Sequence, residues 1–144
     1  MLRKEHPRPI FKRNNWLNLN GKWSCEFSKN IKGFSKSQLN KNKFSKTINV
    51  PFCPESKLSG IGHTDFIQEI YYQKTFKIPE TWKNKKILLH FGGVDYESTI
   101  YINKKKVGFN QGGSTPFSLE ISSCLLYTSP SPRDLSTSRM PSSA

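Results

Sequence analysis

The chain is short of acid, of cysteine and of long apolar runs, and each shortage narrows what it can be. Only 10 Asp and Glu stand against 23 Lys and Arg over 144 residues, a formal net charge of +13. Few carboxylates are therefore on hand for acid–base chemistry. The three cysteines, Cys25, Cys53 and Cys124, have neither metal-ligand spacing nor the even number of a disulfide framework. They read as reduced thiols of a cytoplasmic protein. No run of about 18 apolar residues occurs, so no membrane-spanning helix is expected. The start, "MLRKEHPRPIFKR", is basic but lacks the apolar stretch of a signal peptide. Sustained helical periodicity is missing as well.

The excess of positive charge invites a nucleic-acid reading, but its distribution argues against one. The lysines are spread along the chain, and the dense runs "KNKK" (83–86) and "KKK" (104–106) fall where turns are expected. A nucleic-acid platform needs basic residues interleaved with aromatics on one surface. A solvated basic surface is the simpler reading, with neither nucleic acid nor membrane as partner.

What the chain does contain is a series of short alternating segments. In "KWSCEF" (22–27), Trp23, Cys25 and Phe27 share one face of a half-buried strand opened by Asn20-Gly21. Residues 28–46, rich in Ser, Lys and Asn, read as a solvated loop, and "TINV" (47–50) as a strand stopped by Pro51. The stretch "PFCPESKLSGIGHTDF" (51–66) reads as a long irregular loop, the kind of segment that carries binding groups on a β scaffold. Strands follow at "IYYQKTFKI" (70–78) and "ILLHF" (87–91), the latter apolar enough for the middle of a sandwich. "STIYINKKKVGF" (98–109) reads as a hairpin turning at Asn103. A last strand puts Phe117, Leu119 and Ile121 on one face. The spacing predicts an all-β fold, a jelly-roll sandwich.

Taken in order, "WLNLNGKW", "VPFCPESKLSGIGHTDF", "YYQKTFKIP" and "LLHFGGVDYESTIYINKKKVGFNQGGSTPFSLEI" resemble glycoside hydrolase family 2, the family of many β-galactosidases, β-glucuronidases and β-mannosidases. The likeness is to its N-terminal jelly-roll, galactose-binding-like sugar-binding domain and covers about residues 6–122. Two departures stand out. The hairpin turn reads Asn103-Lys104 where the family has Asn-Gly, so a different turn type is expected, and Ser114 replaces an aromatic after Gly112-Gly113.

The resemblance implies a retaining β-glycosidase that hydrolyses O-glycosyl bonds with two glutamates on a separate (β/α)₈ barrel. Such carboxylates lie about 5–5.5 Å apart, and a barrel needs roughly 200 residues or more. The chain is therefore expected to hold no catalytic residue, no metal and no cofactor. A β-linked glycoside is the substrate of the parent, which is expected to be homo-oligomeric. Asp95 and Glu97, the one close carboxylate pair beside a strand, read as exposed surface charges. His6, His63 and His90 lie on unrelated segments, and His90 is expected within the core or at its edge. The better candidates for contacting substrate are His63 and Asp65 of the long loop, since imidazole and carboxylate both hydrogen-bond sugar hydroxyls. Trp16, Trp23 and Trp82 read as core or edge-sealing aromatics. A stand-alone carbohydrate-binding module is the alternative, and a basic nucleic-acid-binding β domain a more distant one.

The last twenty residues break the pattern. They contain no Lys, Asn, Ile, Phe or Gly, although residues 1–124 hold eighteen lysines and eleven asparagines, and they include six Ser and three Pro. Residues 124–144 read as a disordered, non-native tail, and residues 1–123 as a partial β-sandwich that continues in other family members.

Overall fold

The computed structural model describes residues 10, 13–28, 35–125 and 133–137, with Lys36 and the last segment described by backbone alone. Eight strands make up nearly all regular structure: β1 (Gly21–Ser28), β2 (Lys46–Val50), β3 (Glu69–Phe76), β4 (Leu88–Phe91), β5 (Glu97–Ile102), β6 (Lys105–Gln111), β7 (Phe117–Glu120) and β8 (Arg133–Thr137). Among the described residues, one short α-helix, α1 (Lys36–Leu39), and 3₁₀ turns at Lys57–Ser59, Glu80–Trp82 and Ser122–Cys124 interrupt them. The six-stranded sheet has the order β2-β1-β3-β8-β5-β6, and β4 pairs with β7 in a two-stranded sheet. The fold is the all-β sandwich that the alternating segments predict.

The core lies between the two sheets. Trp23, Cys25, Ile48, Ile70, Ile100 and Ile102 come from the large sheet, and meet Ile87, Leu89 and Ile121 from the small one and its flanks. The indole of Trp23 donates to the Leu19 carbonyl at 2.7 Å, so its polar edge is satisfied. Leu125 is also buried in this cluster, and the Cys124 carbonyl accepts a bond from the Asn103 side chain at 2.6 Å. Cys124 and Leu125 thus pack with the core.

Three local features depart from expectation. The polar stretch before β2 is not wholly solvated: Phe44 is buried and packs on Tyr71 with ring centroids 6.2 Å apart. Gln73 donates to the Lys41 carbonyl at 3.0 Å, tying this segment over the outer face of β1 and β3. Strand β4 is not a central, fully buried strand. Leu89 is buried while Leu88 is 43% exposed, because the sheet has only one partner strand and leaves an outer face to solvent. The hairpin keeps the two-residue turn, Ile102 pairing with Lys105, with positive φ at both Asn103 (49°) and Lys104 (68°). That is the geometry whose twist matches the flanking strands, and the pairing enforces it on a lysine. Beyond Leu125, the structure describes only the backbone of residues 133–137. Arg133–Thr137 forms β8, antiparallel to both β3 and β5. Backbone pairing asks little of sequence, and two strand edges facing one slot supply partners on both sides. The rest of the tail lies outside the described residues.

A two-stranded sheet cannot cover a six-stranded one. Between them opens a cleft of about 1240 Å³, lined by Trp23, Phe76, Trp82, Leu89, Phe91 and Phe117 among others. Close-packed interiors tolerate few voids larger than a water molecule, so among the described residues this part of the core is left open.

Candidate functional site

The loop of residues 51–66 is built by its own small residues. Ser56 caps a short 3₁₀ turn, Lys57–Ser59, its hydroxyl accepting from the Leu58 amide at 3.2 Å. Gly60 closes the turn at φ 82°, a conformation that glycine adopts without a side-chain penalty. The buried Ser59 hydroxyl then donates to the Ser56 carbonyl at 2.7 Å and accepts from the Ile61 amide at 3.1 Å. A bond from the His63 amide to the Pro54 carbonyl, 2.9 Å, draws the two ends of the loop together.

The structure treats the two candidate residues differently. The His63 ring is half-buried and packs on Phe27, with centroids 5.1 Å apart and planes tilted by 52°. Asp65 is exposed, and the next residue, Phe66, is also exposed (66%). A carboxylate beside an exposed aromatic ring is a combination that sugar hydroxyls and a pyranose face can both use. Phe66 was not singled out from the sequence, since a lone Phe at the end of a loop looks like the first core residue of β3. Ile67 takes that place instead.

The large cleft has a different chemistry. No aspartate or glutamate is among its lining residues, and neither His63 nor Asp65 reaches it. Tyr72, on its wall, has its phenol pushed well up by burial, with Cys25, Glu55 and Cys53 adding to the effect. Burial likewise pushes the Cys25 thiol up to about 11, against a smaller opposing pull from Lys46. Neither group is placed to exchange protons near neutral pH.

Asp95 and Glu97 sit in different surroundings. Asp95 precedes β5 and is exposed, its carboxyl packed against Gly113, where an added Cβ would lie 2.5 Å from Oδ1. Glu97 is half-buried within β5, opposite Gln111. His90 is on the outer face of β4 rather than in the core, with Nδ1 2.5 Å from the Ser118 hydroxyl of β7. Trp16 stacks over it at 6.1 Å, which makes that tryptophan an edge-sealing residue. The His90–Ser118 contact follows from pairing "LLHF" with "FSLE", a register the sequence alone did not supply. Among the described residues no cluster of three or more His, Cys, Asp or Glu could hold a metal ion. No helix of the described residues is long and apolar enough to cross a membrane.

Comparison with known proteins identifies this sandwich. The family model for the sugar-binding domain of glycosyl hydrolases family 2 matches residues 16–129. The chain belongs to this family. Its family 2 relatives include the β-galactosidase of Thermoanaerobacter pseudethanolicus, 40% identical over 57 residues, a match spanning 40% of this chain and 8% of that protein. The β-glucuronidase of Bacteroides fragilis is 27% identical over 110 residues, which is 76% of this chain and 14% of its own length. Among solved structures, a Lactobacillus rhamnosus β-glucuronidase shares the fold with a TM-score of 0.72 at 22% identity, over 85% of this chain and 20% of that one. The chain thus spans only about a tenth of the curated relatives it matches.

Proposed function

We propose that the chain serves as the N-terminal sugar-binding domain of a β-glycosidase, β-galactosidase-like or β-glucuronidase-like, that hydrolyses O-glycosyl bonds on a catalytic domain elsewhere in the same polypeptide. The family match over residues 16–129 carries this reading. Retaining glycoside hydrolysis needs two carboxylates about 5–5.5 Å apart, and among the described residues lining the large cleft there is no aspartate or glutamate. The domain's contribution to the substrate is the loop of residues 51–66. There Asp65 accepts hydrogen bonds from sugar hydroxyls, Phe66 offers a stacking face, and His63 holds the loop against Phe27.

The test uses the parent polypeptide, with p-nitrophenyl β-D-galactoside and β-D-glucuronide as substrates. One of the two is hydrolysed, and Asp65→Asn raises KM several-fold with kcat nearly unchanged, as expected for lost binding. A parent inactive on both would overturn the enzymatic reading. An active parent indifferent to Asp65→Asn would remove only the loop's assigned role.

A further inference from the structure

We propose that a pocket at the fork between β1 and β3 binds a tetrahedral oxyanion of the phosphate type, free or as an ester, on the ammonium of Lys74. The two strands pair from Ser28↔Glu69 to Ser24↔Gln73. Beyond that pair β1 runs on along β2 and β3 along the backbone of β8, so the two part. The opening holds a pocket of about 210 Å³. A water's share of the liquid is about 30 Å³, so a tetrahedral oxyanion fits with some of its waters. The segment before β2 closes one side. Lys41 and Phe44 are pinned to the sheet, the first by the Gln73 side chain donating to its carbonyl at 3.0 Å, the second by burial against Tyr71. Asn42 and Lys43, between these two anchors, line the pocket.

The charge in this pocket is of one sign. Lys22, Lys43 and Lys74 line it, and no aspartate or glutamate is among its described lining residues. Glu26, on the same face of β1 as Ser24, is already held by Lys41 at 2.7 Å. Lys74 is the half-buried lysine of the three. It reaches across the fork to donate to the Lys22 carbonyl at 3.1 Å, with Nζ 5.7 Å from the centre of the Trp23 ring. A carbonyl and an aromatic face attract the ammonium, but neither carries a full negative charge. Burial lowers the pKa of Lys74, as expected for a cation short of compensating charge. Lys22 and Lys43, both exposed, flank it with two more positive charges, and Ser24 and Asn42 add neutral hydrogen-bonding groups. An anion with several acceptor oxygens suits that set, whereas a cation or a neutral sugar leaves the charge uncompensated. Charge-assisted hydrogen bonds in such a place are about twice as strong as neutral ones.

The inference is independent of the sugar reading. The full 144-residue chain, labelled with ¹⁵N, is titrated at pH 7 with inorganic phosphate and separately with glucose 6-phosphate, NaCl holding the ionic strength constant. The amide signals of Ser24, Asn42 and Lys74 and the indole signal of Trp23 should shift together and saturate, while the Trp82 indole stays in place. Saturation by both ligands extends the site to phosphate esters, and saturation by phosphate alone assigns it to the free ion. Lys74→Met keeps an apolar stem over Trp23 and should weaken binding at least about tenfold, the worth of one hydrogen bond to a charged group. Lys43→Ser, at an exposed position, should weaken it several-fold and decides the matter if Lys74→Met does not fold. Lys83→Met, outside the pocket, should leave it unchanged. Shifts that do not saturate, shifts that fall equally on the other lysines, or binding that ignores Lys74→Met or Lys43→Ser would overturn the proposal.

Discussion

At the scale of the single residue, Lys104 shows how neighbours impose a backbone that a side chain resists. Its φ of 68° is one that glycine accepts readily and a lysine does not. The turn holds because β5 and β6 pair on both sides and because Asn103 is anchored to the Cys124 carbonyl. Lys104 gains a contact to Asn40 at 3.2 Å, but an exposed contact of that kind recovers little. Lys104→Gly should therefore stabilise the domain by about 0.5–1 kcal/mol in urea unfolding. A loss of stability would mean that the lysine side chain matters more than its backbone.

At the scale of elements, the corner between β4 and β5 meets the corner after β6 at close range. A Cβ at Gly93 would lie 2.8 Å from the backbone oxygen of Gly113, whereas one at Gly92 would meet nothing within 4 Å. Gly93→Ala must push backbone aside and should cost about 1–3 kcal/mol, while Gly92→Ala should stay within about 0.5 kcal/mol of the parent. Identical melting temperatures for the two variants would contradict the packing described.

The same elements show what a sequence discloses. The faces of β1, β5 and β7 were legible because Trp23 and Cys25, Ile100 and Ile102, and Phe117 and Leu119 alternate with polar neighbours. What stayed hidden depends on long-range pairing. His90 reads as core or edge until Ser118 is known to lie beside it, and the exposure of Phe66 at the end of the loop follows only once Ile67 is seen to be buried. The role of "RDLST" is invisible, since nothing in its composition announces a strand between two others. Of the candidate site, the loop was legible from its prolines and glycines, but not the different surroundings of His63 and Asp65.

At the scale of the whole molecule, burial of neutral groups limits the fold at high pH. Cys25 is raised from 9.0 to about 11 and Tyr71 from 10.0 to about 12, both first by burial, with Glu69 adding to the shift of Tyr71. Tyr72 is raised as well. In the unfolded chain these groups lose their protons earlier, so the stability they confer is complete below about pH 9 and is lost as pH rises through the folded values. Lys74 works in the opposite sense: burial lowers its value, and that penalty fades as pH approaches 10.5. Three groups outweigh one, so the urea midpoint should fall between pH 8 and pH 11. A midpoint that holds or rises would count against the assigned burial.

The central claim is that this chain is the sugar-binding domain of a family 2 protein, proposed above to act with a catalytic domain elsewhere in the polypeptide. Its most direct test is incubation of the purified 144-residue chain with p-nitrophenyl β-D-galactoside and p-nitrophenyl β-D-glucuronide. The account predicts release of p-nitrophenol no faster than in buffer; turnover of either substrate that tracks the purified chain would contradict it.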